Sequence, residues 1–294
     1  MADTRALIKR RGAGRVARYA LEAAFAYAAY GFFRLLPLDQ ASAAGGALMR
    51  ALGPRLKRTQ KVVLPQLAMA FPDKSDAERA AIARAMWDNI GRVFAEYAHL
   101  DAILSRVSVA GREHLEAARD SGQPLIFVTG HIGNWEIASI VVQSVGIDLN
   151  VVYRAPNNPW VEALLQRARR AGSGGRLIPK GASGARQILS VMRAGGAVGM
   201  LVDQKLSGAP LIPFFGQQAQ TMPTVPVFAS KFNAHVHYVR IERLAGAHFR
   251  ATISPRVDIG TDENSYLAAM NAEFERWIRV HPAQWLWTHR RWEK

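Results

Sequence analysis

The sequence contains no cysteine, and its acidic side chains are far outnumbered by its basic ones. The absence of cysteine excludes a thiol nucleophile, a disulfide framework and any zinc site that needs thiolate ligands. The shortage of acids leaves the 294 residues with a formal net charge of +15 at pH 7. Hydrophobic residues nevertheless make up 49% of the chain, which is enough for a sizeable core and argues against global disorder.

The positive charge is concentrated in residues 1–58, which hold eleven basic side chains against three acidic ones and so carry a net charge of +8. Such a bias is typical of segments that bind nucleic acid or an anionic membrane surface. Residues 19–38, YALEAAFAYAAYGFFRLLPL, are apolar and aromatic-rich, which a nucleic-acid arm rarely is. We therefore predict a helix that lies in the membrane interface, with an ordinary buried helix as the alternative. Glu22 and Arg34 interrupt the stretch and make it a marginal candidate for a membrane span.

Helix signals come first along the chain, and strands follow. Ser75 and Glu78 have the spacing of a capping box, and apolar residues then recur every three or four positions up to Tyr97, which predicts a long helix. Beyond it, the apolar runs PLIFVT, DLNVVYRA, RLIP and AVGMLVDQ alternate with helical patterns such as NWEIASIVVQSVG. HVHYVRIERL and HFRATISPRVDI look like paired strands, and a helix follows them.

This alternation predicts an α/β fold with a mainly parallel central sheet flanked by helices. No linker or repeat divides the chain after residue 58. We therefore expect two parts: a basic N-terminal helical membrane-docking region over residues 1–58 and a single α/β domain over residues 59–294.

Polar clusters fall at the carboxyl ends of three of the predicted strands, at Gly130–His131, Tyr153–Arg154 and Asp203–Gln204. Open α/β sheets bind their ligands at the carboxyl ends of the strands. We therefore expect these three strand ends to converge on one edge of the sheet and to form a site.

His131 and Glu136 are the candidate catalytic pair. Five positions along a regular helix turn through about 500°, so the two side chains meet only if His131 lies in the turn before the helix. Gly130 and Gly133 loosen that turn, and Asn134 can cap the helix. A carboxylate bonded to one imidazole nitrogen fixes the tautomer and leaves the other nitrogen as a general base. The bare pattern is weak, and its alternative is a structural histidine with a surface glutamate.

Other kinds of site are disfavoured by the sequence. The serine elbow G-x-S-x-G does not occur, because GASGA at residues 181–185 breaks it at the last place, so a base would act on a hydroxyl of the substrate. The zinc motif H-E-x-x-H is also absent, and we interpret the pair His235 and His237 as structural. We predict neither a metal nor another cofactor.

GHIGNWE resembles the His-x4-acid motif of the late acyltransferases of lipid A biosynthesis, the lauroyl and myristoyl transferases, within the broader glycerolipid acyltransferases. Four further blocks resemble this family in the same order: PQLAMAFPDKSDAER with Glu96 beyond it, VVYRAPNNP, GGAVGMLVDQK followed by IPFFG, and QWLWTHRRW. The blocks run from about residue 60 to residue 292, which is far more specific than the His-x4-Glu pattern alone.

The resemblance implies an O-acyltransferase. His131 would take the proton from a hydroxyl of a lipid A precursor, and the alkoxide would attack the thioester of an acyl carrier protein or of acyl-coenzyme A. Glu136 would orient and charge-balance His131. The family also implies a place at the cytoplasmic face of the bacterial inner membrane, where a basic enzyme meets a membrane glycolipid and an anionic lipid surface.

The remaining candidates are assigned to substrate binding. Arg154 would bind a phosphate or the developing oxyanion, with a solvated strand-end arginine as the alternative. Asp203 and Gln204 would line the pocket, and Asn134 would either join them or simply cap the helix. LIPFFG, residues 211–216, is interpreted as lining the acyl channel or as a plain core turn.

Two other functions stay open. The same chemistry could act on a different acceptor, such as a lysophospholipid or a phosphatidylinositol mannoside. From a different class, the chain could be a basic nucleic-acid-binding protein or a membrane scaffold without catalysis. Neither of these gives His131 a role, so we expect no nucleic-acid partner.

Overall fold

A seven-stranded sheet organises the part of the chain that the structure describes, residues 12–172 and 175–292 of a computed structural model. The strands are β1 (Val107–Ala110), β2 (Leu125–Thr129), β3 (Leu149–Tyr153), β4 (Arg176–Pro179), β5 (Ala197–Leu201), β6 (Leu211–Phe214), β7 (Gln217–Gln220), β8 (His235–Arg243) and β9 (Phe249–Ile253). The helices are α1 (Ala13–Leu35), α2 (Leu38–Leu52), α3 (Lys57–Ala70), α4 (Asp76–Glu96), α5 (Arg112–Asp120), α6 (Glu136–Gln143), α7 (Pro159–Gly172), α8 (Ala182–Arg193), α9 (Thr224–Phe232) and α10 (Glu263–Val280).

The strand order of the sheet is β1-β9-β8-β2-β5-β3-β4. Strands β8, β2, β5, β3 and β4 run parallel to one another, while β9 is antiparallel to β8 and pairs in parallel with β1. The antiparallel pair arises because a tight turn joins β8 to β9, whereas parallel neighbours need a longer crossover. The mainly parallel sheet flanked by helices is thus confirmed, and β6 and β7 form a separate hairpin.

Successive side chains of each strand point to opposite faces of the sheet. In β2, Phe127 belongs to the hydrophobic cluster that includes α6 on one face of the sheet. Ile126 and Val128 belong to the second hydrophobic cluster, on the other face. All five residues of β2 are buried, which explains why the strand reads as an unbroken apolar run. The site lies at the end of this strand.

Helix α4 supports the turn that follows β2. Its capping box is confirmed, since Ser75 accepts a hydrogen bond from the Glu78 backbone and Glu78 accepts one from the Ser75 backbone. Helix α2 lies against α4 at backbone contact: a Cβ atom on Gly45 would clash with the carbonyl group of Gly91. Small residues at this crossing therefore set the distance between the two helices.

Helix α1 has two different apolar faces. One face is buried against the rest of the protein through Val16, Tyr19 and Ala23. The opposite face carries four exposed side chains that fall within one side of the helix: Leu21, Phe25, Phe32 and Leu35, which are 74%, 75%, 55% and 86% exposed. Among the described residues, no helix is both long enough and apolar enough to cross a bilayer. The first eleven residues of the predicted docking region lie outside the described residues, and the boundary near residue 58 stays a prediction.

Candidate active site

The three predicted strand-end pairs meet at one edge of the sheet. A cavity of about 230 Å³ opens there, and His131, Tyr153, Arg154 and Gln204 line it. These residues follow or end β2, β3 and β5, which are neighbours in the parallel part of the sheet. The expectation that separate strand ends converge is confirmed.

Two glycines let the turn after β2 fit its surroundings. A Cβ atom on Gly130 would lie 2.9 Å from Phe274 and 3.3 Å from the Asp203 side chain. Gly133 has a φ of +61°, a left-handed conformation that favours glycine, and a side chain there would also clash with the Ile241 carbonyl. The chain can therefore place His131 directly against Asp203.

His131 and Asp203 form the central contact of the site. His131 Nδ1 lies 2.8 Å from Asp203 Oδ1, and the backbone N–H of His131 donates to Asp203 Oδ2 at 2.9 Å. Trp285 Nε1 donates to the same Oδ2 at 2.8 Å. Burial opposes ionisation of Asp203, but the charge of His131 and these hydrogen bonds outweigh it and hold the pKa of the carboxyl well below its usual value. Asp203 is therefore a carboxylate, and its Oδ1 is placed to accept a hydrogen bond from an N–H group at Nδ1 of His131.

The expected hydrogen bond between His131 and Glu136 is not present, and this corrects the pairing inferred from the sequence. Glu136 instead forms a bidentate ion pair with Arg169 of α7, with both N–O distances at 2.7 Å. It also accepts hydrogen bonds from the Tyr97 hydroxyl and from Trp135 Nε1. The cause is local: Glu136 is the first residue of α6 and faces α7, whereas Asp203 reaches His131 from the neighbouring strand end.

The Glu136–Arg169 pair is buried and charged. Burial opposes ionisation of Glu136, yet the nearby Arg169 guanidinium and its hydrogen bonds lower the pKa of the carboxyl overall. Burial together with the Glu136 charge raises the pKa of Tyr97 well above its usual value, so its hydroxyl remains a hydrogen-bond donor. Glu136 and Arg169 both line the cavity, and they form a fixed, paired part of its wall.

Asn134 lies away from the cavity and is fully buried. Its Oδ1 accepts from the Glu136 backbone at 3.2 Å, and its Nδ2 donates to Glu96 Oε2 at 2.8 Å. Glu96 is also held by Arg243, whose Nη2 donates to it at 2.9 Å. Asn134 thus lies one residue before the N-cap position of α6, which is Trp135, and it ties the turn that carries His131 to the end of α4.

The other two substrate-binding candidates face the cavity. Gln204 places its Nε2 3.3 Å from both ring nitrogens of His131. Arg154 is exposed at the cavity mouth. Asp203 does not line the cavity, because it lies behind His131.

Sequence reasoning missed three ionisable residues of the cavity, namely Lys180, His289 and Arg169. Lys180 directly follows β4, so the strand-end argument would have found it had it been applied to RLIP. His289 lies within QWLWTHRRW, and its ring centroid is 5.9 Å from that of His131. Desolvation and the nearby His131 lower the pKa of His289, while partial burial lowers that of Lys180. Arg169 lies in an arginine-rich helix where no pattern distinguishes it.

LIPFFG does not line the cavity. Phe214 and Phe215 belong to β6 and the hairpin turn, where they pack against Trp285, Trp287 and Trp292 on the opposite side of the sheet. The core-turn interpretation of this segment is therefore the one that agrees with the structure. Within the described residues, no group of three or more histidine or acidic side chains is placed to hold a metal ion.

An imidazole held by a buried carboxylate at the mouth of a cavity is an arrangement that can serve general-base chemistry. The chain belongs to the bacterial lipid A biosynthesis acyltransferases, because the sequence model of that family matches residues 9–294. This membership supports acyl transfer onto a lipid A precursor and confirms the family resemblance.

Individual relatives are distant but matched over most of their length. The lipid A biosynthesis palmitoleoyltransferase of Escherichia coli (strain K12) is 25% identical over 256 residues, which cover 84% of this chain and 81% of the relative. The lipid A biosynthesis myristoyltransferase of the same organism is 26% identical over 251 residues, which cover 82% of this chain and 77% of the relative. The lauroyltransferase of that organism is 25% identical over 252 residues, which cover 80% of this chain and 79% of the relative.

Proposed function

We propose that the protein transfers a fatty acyl chain from the thioester of an acyl carrier protein, or of acyl-coenzyme A, to a hydroxyl of a lipid A precursor. The observation that carries this proposal is the 2.8 Å contact between His131 Nδ1 and Asp203 at the mouth of the cavity. Asp203, rather than Glu136, is the group that orients His131 in this proposal. Glu136 positions the cavity wall through Arg169.

The chemical step follows from the free Nε2 of His131. This nitrogen takes the proton of the acceptor hydroxyl as its oxygen attacks the thioester carbonyl carbon. The tetrahedral intermediate then collapses, the C–S bond breaks, and the imidazolium returns the proton to the departing thiolate. An ester and a free thiol result, and the charge of Asp203 stabilises the imidazolium throughout.

Cationic side chains at the mouth suit the anionic parts of both substrates. Arg154 and Lys180 are exposed there, and a guanidinium or an ammonium group binds phosphate oxygens or a developing oxyanion. A thioester donor on an acyl carrier protein and a phosphorylated glycolipid are both acidic. The net charge of +15 favours encounter with either of them.

The length of the transferred acyl chain and the identity of the acceptor are two separate parts of the proposal. The three relatives are named for palmitoleoyl, myristoyl and lauroyl transfer, so family membership alone does not fix the chain length. For the acceptor, a lipid A precursor is the first candidate, and a lysophospholipid or a phosphatidylinositol mannoside is the second.

The acceptor's location calls for an enzyme at a lipid surface, and we propose that α1 docks the protein on the cytoplasmic face of the inner membrane. The exposed face of α1 carries Leu21, Phe25, Phe32 and Leu35, which can enter the boundary between headgroups and acyl chains. Exposed basic residues at the start of α3, Lys57 and Arg58, would add attraction to anionic lipid.

The test is an assay with purified full-length enzyme, an acylated acyl carrier protein or acyl-coenzyme A, and the three acceptors named above. We expect His131→Ala to lower kcat by roughly 10²–10⁴-fold, the usual contribution of general-base catalysis. His248→Ala, at an exposed histidine outside the cavity, is the matched control and should retain full activity. Undiminished transfer by His131→Ala would refute the mechanism, and transfer only to a lysophospholipid would replace the proposed acceptor.

A further inference from the structure

The cavity extends from the strand ends down one face of the sheet. Leu201 of β5 lies at the level of Thr129 at the strand ends, and Gly199 lies two residues deeper, in register with Phe127 and Val151. Leu149 lies two residues deeper again, in register with Ala197. At about 3.3 Å per residue, Leu149 is therefore roughly 13 Å below the level of Leu201.

The polarity of the lining changes with depth. The ionisable lining groups lie at the mouth or, as the Glu136–Arg169 pair, on the side wall. The deeper lining includes Val142 from α6, Leu149 and Val151 from β3, and Gly199 from β5. A hydrocarbon chain whose thioester lies beside His131 would therefore extend towards Leu149.

Gly199 leaves a gap in the sheet surface between Phe127 and Val151. A Cβ atom on Gly199 would lie 3.2 Å from Leu149 Cδ2 and 3.5 Å from its Cγ. The Leu149 side chain thus lies next to the space that a side chain on Gly199 would occupy. Leu149 and Val142 are 2% and 0% exposed, so both side chains are buried at this end of the cavity.

We propose that the Leu149 side chain, seated against Gly199, forms the closed end of the acyl pocket and sets the longest acyl chain that the enzyme accepts. This inference rests on the proposed function, because it assigns the deep cavity to the acyl group of the donor. The geometry makes two opposite changes possible. A methyl group on Gly199 would fill the space beside Leu149 and crowd its side chain, and truncation of Leu149 would lengthen the cavity.

The experiment measures kcat/KM for wild-type enzyme and variants with lauroyl-, myristoyl-, palmitoyl- and stearoyl-acyl carrier protein and one fixed acceptor. We expect Gly199→Ala to shift the preference towards shorter chains and Leu149→Ala to shift it towards longer ones. One methylene in an apolar pocket changes specificity by roughly 10–200-fold, so the ratio between adjacent chains should change by at least about tenfold. Val142→Ala provides a second way to enlarge the same end.

Leu115→Ala is the matched control for lost core packing, because Leu115 is fully buried in the same core cluster but does not line the cavity. It should lower stability in thermal unfolding without changing the chain-length profile. If all three cavity variants fold and keep the wild-type profile, Leu149 and Gly199 do not set the limit. If the wild-type enzyme transfers no acyl chain from any donor, it is the proposed function that fails.

Discussion

His131 receives its orientation from Asp203, a residue that lies 72 positions further along the chain. Two hydrogen bonds join the two residues, and a third, from Trp285, holds the carboxylate. The sequence predicts that both residues lie at strand ends, because each follows an apolar run directly. It does not predict their contact, because that depends on β2 and β5 being adjacent, and strand order is a property of the whole sheet.

At this scale we predict that Asp203→Asn lowers kcat on the order of 10³-fold with little change in KM. An amide in this position presents an N–H group to His131 Nδ1 and favours the wrong imidazole tautomer. Steady-state kinetics with one acylated carrier protein would measure the effect. Trp285→Phe removes a single hydrogen bond to Asp203 and should lower kcat by a smaller factor. An Asp203→Asn variant with wild-type kcat would exclude Asp203 as the orienting group.

At the scale of elements, Glu136 joins α6 to α7 through Arg169 and joins both helices to Tyr97 at the end of α4. The start of α6 is predictable, since glycine and asparagine precede an apolar helical pattern. The direction of the Glu136 side chain is not, because it depends on where α7 packs. The His-x4-Glu spacing therefore identifies the right turn but pairs the wrong side chains.

We predict that Glu136→Gln destabilises the protein by about 3 kcal/mol, because it leaves the Arg169 charge buried with an incomplete partner. Replacing both residues, as in Glu136→Gln with Arg169→Met, should recover part of this loss. Urea unfolding would measure both variants. Glu116→Gln, in the exposed Arg112–Glu116 pair, is the control and should cost less than about 1 kcal/mol. Equal losses of unfolding free energy in Glu136→Gln and Glu116→Gln would contradict this account.

The loss of stability caused by Glu136→Gln should depend on pH. Because folding lowers the pKa of Glu136, its contribution to stability is full above the unfolded-state value of 4.5 and is lost as the pH falls through the folded-state value. The difference in unfolding free energy between wild type and Glu136→Gln should therefore shrink on the acid side.

At the scale of the whole molecule, α1 is part of the folded body as well as the proposed lipid-binding surface. Asn158 Nδ2 donates to the Tyr19 carbonyl at 2.8 Å, and Arg34 forms a bidentate pair with Asp101. The buried-helix interpretation of residues 19–38 therefore fits one face of α1, and the interfacial interpretation stays a proposal for the opposite face. Composition cannot separate them, because both faces are apolar.

We predict that Leu21→Ser with Phe25→Ser reduces binding to vesicles that contain phosphatidylglycerol, because the substitutions remove apolar area from the exposed face of α1. Vesicle co-sedimentation would measure the change. Leu244→Ser with Val280→Ser removes two exposed apolar side chains elsewhere and should leave binding unchanged. Point substitutions are preferable to truncation, which would also remove the contacts to Asn158 and Asp101. Equal binding by both double variants would place the lipid contact outside α1.

The backbone contact between Gly45 and Gly91 has a consequence for acceptor choice. It packs α2 closely against the C-terminal part of α4, whose last residue, Glu96, holds the turn of His131 through Asn134. With α1 tied to the same body, the proposed docking through α1 would hold His131 at a set height above the lipid headgroups. Among the several hydroxyls of one glycolipid, the enzyme would then select by elevation from the bilayer as well as by chemical identity.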